Sequence, residues 1–418
     1  MNKQKKELVP ELRFPEFEKE PNWPCVKLNT VARRSTSKNK GEKVTRVLTN
    51  SAVDGVVDQR DYFDKDIAVK GNLEGYYIVD KGDYVYNPRI SSTAPVGPIS
   101  KNKVGKGVMS PLYTVFRFNS KNNDFFEQFF NSSRWHGYLQ TISNSGARHD
   151  RMSITSGEFM AMPVPNPFEL EQKKIADCLA SIDELITLHT RKLDALKDHK
   201  KGLLQQLFPA EGETIPKLRF HGFGEKKPWK AVCVGDLGKV ITGSTPSTNT
   251  PEYYDGPYLF VSPADISDFR FVENTKTTLS KLGFEKTRHV KSGSILFVCI
   301  GSTIGKVAQN RFQCATNQQI NSIIPLGEFS NDFLYYLLSN ESTRISKMAG
   351  KQAVPLINKT TFSSISMLVP EKDEQEVIAN ILSELDELIF EQSQKIGSLK
   401  DHRSGLLQKL FPIMDEVL

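Results

Sequence analysis

The chain has 418 residues and a formal net charge of +6, with 38% hydrophobic and 25% charged residues. This composition is typical of a globular protein of about two to four domains, and the small basic excess is compatible with a nucleic-acid partner. The sequence has no run of about 20 apolar residues that could span a membrane, and its first residues lack the apolar core of a signal peptide. Its five cysteines show no CxxC spacing. We therefore expect a cytoplasmic protein with reduced cysteines and no structural zinc site.

Residues 1–10 form a polar tail that we expect to be disordered, and residues 11–165 carry mixed helix and strand signals. The stretches "GDYVYN" (82–87) and "LYTVFRF" (112–118) predict strands, whereas residues 124–134 predict a helix. Loops beside these elements are rich in side chains that bind phosphates or base edges. The candidate DNA-binding residues of this block are Arg89, Ser91, Lys101, Lys103, Lys106, Arg148, His149 and Arg151.

Residues 166–209 predict one long helix with a coiled-coil seam. Apolar residues recur at alternating spacings of four and three through about five heptads, and Pro209 ends the pattern. Two polar residues, His189 and Lys200, interrupt the seam. A helix of this length would extend about 55 Å, and a short linker (210–215) follows it. The apolar seam residues are Ile175, Leu179, Ile182, Ile186, Leu193, Leu196 and Leu203.

Residues 216–370 form a second block with mixed signals. "GSILFVCIGST" (293–303) predicts a strand that runs into a Gly/Ser loop, and "NSIIPL" (321–326) predicts another strand. Residues 331–349 predict a helix with Asn331 as its N-cap. The loops of this block concentrate hydroxyls, lysines and amides, and the amides are suited to bidentate pairing with adenine. The candidate DNA-binding residues are Ser302, Thr303, Lys306, Asn317, Gln318, Gln319, Asn321, Lys351 and Gln352.

Residues 371–412 predict a second long helix that repeats the first. The segments 171–209 and 374–412 are identical at 21 of 39 positions without a gap. Gly202 and Gly405 recur in the helix interior, where each costs about 1 kcal/mol relative to alanine, so they suggest close approach of another backbone. The apolar seam residues of this helix are Ile378, Leu382, Leu385, Ile389, Ile396, Leu399 and Leu406.

Weaker repeats precede the two helices. "PELRFPEF" (10–17) matches "PKLRFHGF" (216–223), and "NDFFEQFF" (123–130) matches "NDFLYYLL" (331–338). Because solenoid repeats have periods of only about 20–50 residues, we interpret this longer period as a duplicated half-molecule. The helices are retained more closely than the blocks before them. We therefore expect the helices to do the same job twice and the blocks to do different jobs.

The two seams are expected to pack on each other as an antiparallel pair with pseudo-two-fold symmetry, and residues 413–418 remain as a tail. One register would place His189 against Arg403 and Lys200 against Gln392, so that polar residues face polar residues. The alternative is that these polar positions lie where the pair is frayed or covered by a partner.

The sequence has no recognisable catalytic motif. "GSTIGK" (301–306) superficially matches a phosphate-binding loop, but it has three residues between its glycines where the Walker A motif has four. Val307 then stands where Ser or Thr would bind magnesium. We also find no GxSxG motif, no HExxH motif and no notable Cys/His pair. We therefore predict a chain without catalytic residues or a metal site, whose function is recognition.

The order of these motifs resembles the specificity subunit of type I restriction-modification systems (HsdS family). The resemblance rests on the "ELRFPEF" and "KLRFHGF" openings and on "MPVPNPFELEQKKIADCL" (162–179). It also rests on "GSTIGK…ATNQQINSIIP" (301–325) and on the twin endings "GLLQQLFP" (202–209) and "GLLQKLFP" (405–412). The match spans nearly the whole chain, and the order and duplication of the motifs agree as well as their letters.

The resemblance implies an α/β (α+β) fold with two target recognition domains, residues 11–165 and 216–370, separated by a long antiparallel two-helix coiled coil. Each domain would read one half of an asymmetric bipartite DNA site, and the helices would set the spacing and dock the methyltransferase subunits. The expected partners are double-stranded DNA, two modification subunits and, through the complex, restriction subunits. The resemblance implies no cofactor in this chain, because S-adenosylmethionine, ATP and Mg belong to the partner subunits.

Two other classes of protein fit parts of the sequence. A coiled-coil scaffold or adaptor would show no salt-dependent binding to duplex DNA. A stand-alone DNA methyltransferase would bind its cofactor as an isolated chain. Against this class, the sequence lacks the Asn/Asp-Pro-Pro-aromatic tetrapeptide that holds a flipped base.

Overall fold

The structure, a computed structural model, describes residues 7–62, 71–143, 150–224, 227–350 and 355–414. The chain divides into two compact units. The first unit consists of Met1–Thr187 and Gly397–Leu418, and the second consists of Leu188–Ile396. None of the helices within the described ranges combines the length and hydrophobicity that a membrane span requires.

The first unit consists of short strands and helices, the first half of one long helix and the end of a second long helix. Its strands are β1 (Glu7–Leu8), β2 (Trp23–Lys27), β3 (Ala32–Arg34), β4 (Leu48–Ser51), β5 (Gly55–Asp58), β6 (Tyr77–Val79), β7 (Tyr84–Tyr86), β8 (Ile99–Lys101), β9 (Gly107–Met109), β10 (Thr114–Phe118) and β11 (Pro163–Pro165). Its helices are α1 (Leu28–Val31), α2 (Gln59–Tyr62), α3 (Asp124–Asn131), α4 (His136–Ile142), α5 (Ser156–Met160) and the beginning of α6 (Glu169–Leu207). The second unit includes the part of α6 from Leu188 onward.

The second unit contains a similar set of strands and helices. Its strands are β12 (Lys230–Cys233), β13 (Gly238–Thr242), β14 (Tyr254–Val261), β15 (Phe271–Val272), β16 (Thr277–Leu279), β17 (His289–Val290), β18 (Ile295–Val298), β19 (Val307–Asn310), β20 (Cys314–Thr316), β21 (Ile320–Pro325) and β22 (Ser366–Val369). Its helices are α7 (Val234–Leu237), α8 (Lys281–Glu285), α9 (Asn331–Lys347), α10 (Lys359–Ser363) and most of α11 (Lys372–Leu410).

The two units share one strand order. The first unit has a sheet of order β3-β10-β7-β8, and the second has β13-β21-β18-β19-β15. The four strands of the first sheet and the first four of the second follow the same order with antiparallel neighbours, and β15 is added parallel to β19. In the first unit the two-stranded sheets β5-β4 and β6-β9 meet through a parallel bridge between Val47 and Val108. The second unit has the matching sheet β16-β14-β20-β17, in which β14 and β20 are also parallel. The duplication seen in the sequence therefore extends to the topology of the divergent blocks.

The central strands are buried on both faces, which explains their continuous apolar sequences. Successive side chains of a strand point to opposite faces. In β18, Ile295 and Phe297 pack in the core that contains Phe333 of α9. Leu296 and Val298 pack in a second core between the two sheets of the unit. Strand β7 of the first unit shows the same alternation between two cores.

The long helices α6 and α11 have 39 residues each, and the apolar residues of their seams are buried or half-buried. In the first unit, Ile175 near the start of α6 shares a core with Leu410 at the end of α11. In the second unit, Ile378 near the start of α11 shares a core with Leu207 at the end of α6. The start of one helix therefore lies with the end of the other, so each unit contains an antiparallel helix pair.

In the second unit, the polar residues of the seam pair with partners other than the predicted ones, so the register of the two helices differs from the prediction. Gln392 Nε2 lies 2.6 Å from His189 Nδ1 and donates to the His189 backbone oxygen at 2.8 Å. Lys200 forms an ion pair with Asp386, which also accepts a hydrogen bond from the Tyr336 hydroxyl at 2.7 Å. His189 thus faces its own repeat counterpart, 203 residues later in the chain.

In the first unit, Arg403 also has partners other than the predicted one. Arg403 donates from Nη2 to Asp183 at 3.0 Å and to the Gln128 side chain at 3.1 Å. The predicted pairs His189 with Arg403 and Lys200 with Gln392 are therefore wrong. The physical reason is that each cation reaches a carboxylate on the opposite helix, and a charge-assisted hydrogen bond is stronger than one to a neutral amide.

Two further local predictions are corrected. A Cβ at Gly202 or Gly405 would meet no atom within 4 Å, so no neighbouring backbone requires glycine at either position. The N-cap of α9 is Ser330, whose hydroxyl accepts from the Phe333 backbone N–H at 3.3 Å, and Asn331 is the first helical residue.

A buried ion pair joins the opening segment of each unit to the first turn of its long helix. In the first unit, Arg13 donates to both carboxylate oxygens of Glu171, at 2.7 and 2.8 Å. In the second unit, Arg219 donates to both oxygens of Glu374, at 2.9 and 2.6 Å. The carboxylate raises the pKa of Arg13 above its ordinary value. These pairs explain why the "LRF" segment and the helix start are both repeated.

Candidate nucleic-acid interface

Three loops of the second unit meet at one surface, which we call the second-unit loop surface: residues 243–247, 300–306 and 317–319. The Ser244 backbone N–H donates to the Thr316 oxygen at 2.9 Å, and the Cys299 N–H donates to the Gln319 oxygen at 2.8 Å. A Cβ at Gly243 would overlap the backbone oxygens of Asn317 and Thr316. Glycine is therefore required where the first loop crosses the third.

The predicted amide cluster separates into internal and exposed side chains. Asn317 Nδ2 donates to Gln319 Oε1 at 3.0 Å, and the Gln319 backbone N–H donates to Asn317 Oδ1 at 3.1 Å. Gln319 Nε2 also lies 3.4 Å from the Ile300 oxygen. Both of these amides stabilise the loops. Gln318 lies between them and is exposed.

Asn321 is not positioned to contact DNA in this structure. Its side chain is 2% exposed, accepts from Thr242 Oγ1 at 2.7 Å and contacts the Cys299 sulfur at 3.2 Å. Burial raises the pKa of the Cys299 thiol to about 12, so the thiol stays neutral at physiological pH. We therefore withdraw Asn321 from the candidate DNA-binding residues, because its amide is used inside the sheet.

Two cations flank the second-unit loop surface. Lys306 is exposed and donates from Nζ to the Ile266 backbone oxygen at 2.9 Å. Arg288 is exposed and donates from Nη1 to the Thr242 backbone oxygen at 2.8 Å. A carbonyl partner orients each cation without neutralising its charge, so both remain suited to phosphate contact. Ser302 is exposed and Thr303 is half-buried in the same loop as Lys306.

The first-unit candidates are largely engaged with acidic residues. Lys101 pairs with Asp124 at 2.7 Å, and Lys103 pairs with Glu127 at 2.6 Å. Lys106 lies 3.7 Å from Asp80. A lysine that is neutralised inside the protein contributes less to phosphate binding than one with full charge.

Three other first-unit candidates lie close together. Arg89 and Arg151 form an isolated antiparallel bridge, and Arg151 is also 3.5 Å from the Asp150 carboxylate. Ser91 is exposed, with its hydroxyl 3.1 Å from that of Thr93. The candidates Arg148, His149, Lys351 and Gln352 lie outside the described residues.

The same position in the two topologies carries different chemistry. The loop between β20 and β21 is 317–319, with its three amides. The corresponding loop between β9 and β10 is 110–113, with the sequence Ser-Pro-Leu-Tyr. Its Tyr113 hydroxyl lies 3.0 Å from Thr49 Oγ1. One shared topology therefore presents two unlike sets of side chains.

Two residues, one in the second-unit loop surface and one beside it, escaped the sequence analysis. Thr245 donates from Oγ1 to Gln318 Oε1 at 2.6 Å, and Arg288 lies beside the same loop. Only the "GSTP" turn at 243–246 hinted at a surface loop near Thr245. Among the residues that the structure describes, no group of His, Cys, Asp and Glu side chains has the arrangement of a metal site.

Comparison with known proteins agrees with this organisation. Residues 226–400 match the family described as the type I restriction modification DNA specificity domain. The type I restriction enzyme HindI specificity subunit of Haemophilus influenzae is 26% identical over 312 residues, which cover 73% of this chain and 65% of that protein. The MjaIX specificity subunit of Methanocaldococcus jannaschii is 27% identical over 190 residues, or 44% of each protein. Each match thus spans less than two thirds of the relative.

Solved structures show the same fold over nearly the whole chain. The S subunit of the type I restriction-modification system from M. genitalium aligns with a TM-score of 0.59 at 12% identity, covering 97% of this chain and 99% of that one. A chain from a structural study of assembly and conformational transition in the type I system aligns with a TM-score of 0.56 at 16% identity, covering 94% and 98%. The predicted fold class is therefore confirmed. The predicted resemblance to type I restriction specificity subunits is supported by the family match over residues 226–400 and by the relatives named above.

Proposed function

We propose that this chain is the DNA sequence-recognition subunit of a type I restriction-modification complex and has no catalytic role of its own. The observation that carries the proposal is the repeated topology with unlike loops, 110–113 and 317–319. Two readers of one architecture but different chemistry suit an asymmetric bipartite site. The target recognition domains are proposed to be residues 11–165 and 216–370.

The close repetition of the two long helices suggests which partners they bind. The segments 171–209 and 374–412, which contain most of the two long helices, are identical at 21 of 39 positions, as expected if two copies of one partner bind them in equivalent ways. We propose that these partners are the modification subunits, that the helices also set the spacing between the half-sites, and that restriction subunits join through the complex. Methyl transfer and DNA cleavage are then the chemistry of the partner subunits.

The first expected result is salt-dependent binding of duplex DNA by the full chain assembled with its modification subunits. Because phosphate contacts release counterions, affinity should fall by roughly 10³- to 10⁵-fold between 50 and 200 mM salt if about six to ten phosphates are contacted. Fluorescence anisotropy with a labelled duplex at several salt concentrations measures the slope. A duplex of the same length without the recognised sequence is the control and should bind more weakly at each salt concentration.

The scaffold alternative predicts a different outcome. If this chain were a coiled-coil adaptor without a DNA-binding surface, only the modification subunits would contact DNA. The complex would then bind the duplexes with and without the recognised sequence equally, and the proposal would be wrong. Cofactor binding by the isolated chain would instead favour a stand-alone methyltransferase.

A further inference from the structure

The three consecutive amide side chains of Asn317, Gln318 and Gln319 differ in how many of their polar atoms bond within the protein. Asn317 and Gln319 bond to each other and to the backbone of the neighbouring loop. Gln318 is exposed, and its Oε1 accepts from the Thr245 hydroxyl at 2.6 Å. Within the described part of the chain, no acceptor takes a hydrogen bond from Gln318 Nε2. One end of this amide is therefore held by the protein while the other end faces solvent.

This contact gives the amide a direction. A hydroxyl that donates to the carbonyl oxygen keeps that oxygen on the protein side, so the amino group leads outward. An outward amino group offers hydrogen-bond donors to whatever approaches. In the major groove the exposed acceptors are the N7 and O6 atoms of guanine, the N7 atom of adenine and the O4 atom of thymine.

We infer that Gln318 reads a base-edge acceptor in the half-site bound by the second unit, with Thr245 as its positioning residue. This inference rests on the proposed function. It differs from the expectation for a free amide, which pairs bidentately with adenine and needs its oxygen as an acceptor. The base favoured at this position is then guanine, because it presents two adjacent acceptors, N7 and O6, to an amino group that only donates.

The surroundings support this role. Gly243 permits the tight crossing that brings the Thr245 loop against residues 317–319. Arg288 and Lys306 lie beside the same surface with only backbone oxygens as partners in the described structure. Cations that contact phosphates position a protein on the duplex, and exposed polar side chains on the same surface can then contact base edges. Gln318 therefore sits where base reading is expected.

The test compares Gln318→Ala, Gln318→Glu and Thr245→Val in the complete complex. Binding is measured by selection from duplexes that are randomised at each position of the recognised half-sites, followed by sequencing. Gln318→Ala should reduce the preference at one position of one half-site by roughly 5- to 150-fold and leave other positions unchanged. Gln318→Glu offers only acceptors, so the preferred base at that position should change to cytosine, whose amino group donates.

Thr245→Val should broaden the preference at the same position, because the amide then rotates freely and adenine becomes an acceptable partner. Gln313→Ala is the matched control: Gln313 is an exposed glutamine four residues before Asn317, and its removal should leave the selected sequence unchanged. Thermal unfolding of each variant verifies that the unit remains folded.

The outcomes separate the inference from the proposed function. If Gln318→Ala keeps the wild-type selection profile at every position, Gln318 does not read a base and the inference is overturned, while the DNA-binding role stands. If the wild-type complex itself selects no sequence, the proposed function fails, and the inference fails with it.

Discussion

Replacing Glu374 with alanine should destabilise the second unit by about 3–5 kcal/mol, because the substitution leaves a buried guanidinium without its carboxylate. The Arg219 and Glu374 side chains are only 6% and 2% exposed. The remaining Arg219 hydrogen bonds go to backbone oxygens of Gly224 and Lys227, which do not balance its charge. Urea unfolding monitored by circular dichroism measures the loss.

Two controls make this result specific. Glu376→Ala removes an exposed glutamate from the same helix turn and should change stability by less than about 0.5 kcal/mol. Glu171→Ala removes the repeated partner of Arg13 and should destabilise the first unit by a similar amount to Glu374→Ala. Equal stabilities for Glu374→Ala and Glu376→Ala would show that the buried pair does not anchor the helix.

Gly243→Ala should impair recognition of the second half-site. The added Cβ would overlap the backbone oxygens of Asn317 and Thr316, so the loop that carries Gln318 must move. Forcing extra volume into a packed site costs about 1–3 kcal/mol, and displacing a base-reading side chain should cost on the order of ten-fold in discrimination. Selection from randomised duplexes measures the loss, with the first half-site as an internal reference.

The matched control is Gly327→Ala in the same unit. A Cβ at Gly327 would meet nothing within 4 Å and the residue is exposed, so stability and DNA selection should be unchanged. If Gly243→Ala selects the same two half-sites as the wild type, the close packing of loops 243–247 and 317–319 is not what positions the reading surface.

The long helices were predictable because their signals are local. The heptad spacing and the repeated segments gave a helix over 166–209, and the structure has Glu169–Leu207. The helix register was not predictable in the same way. Lys200 pairs with Asp386, an acidic residue beside the seam on the opposite helix. Heptad spacing does not indicate which charged side chains of two packed helices come within reach of each other.

The proposed DNA-binding surface was only partly predictable for a related reason. The stretch 316–321 drew attention to one loop, but composition could not distinguish the buried Asn321 from the exposed Gln318. That distinction depends on the sheet, because Asn321 lies within the central strand β21 and Gln318 lies in the loop before it. Thr245, which holds Gln318, lies 73 residues earlier in the chain, and no local pattern connects two residues at that distance.

The central claim is that one repeated architecture presents two independent readers, and methylation mapping of an exchanged chain tests it most directly. Residues 11–165 are replaced by the corresponding block of another specificity subunit, and the chain is expressed with its modification subunits in a host without other methyltransferases. Single-molecule sequencing then locates the methylated motif. We predict that one half of the bipartite motif changes while the other half and the spacing stay as in the wild type. A motif altered in both halves would contradict the claim.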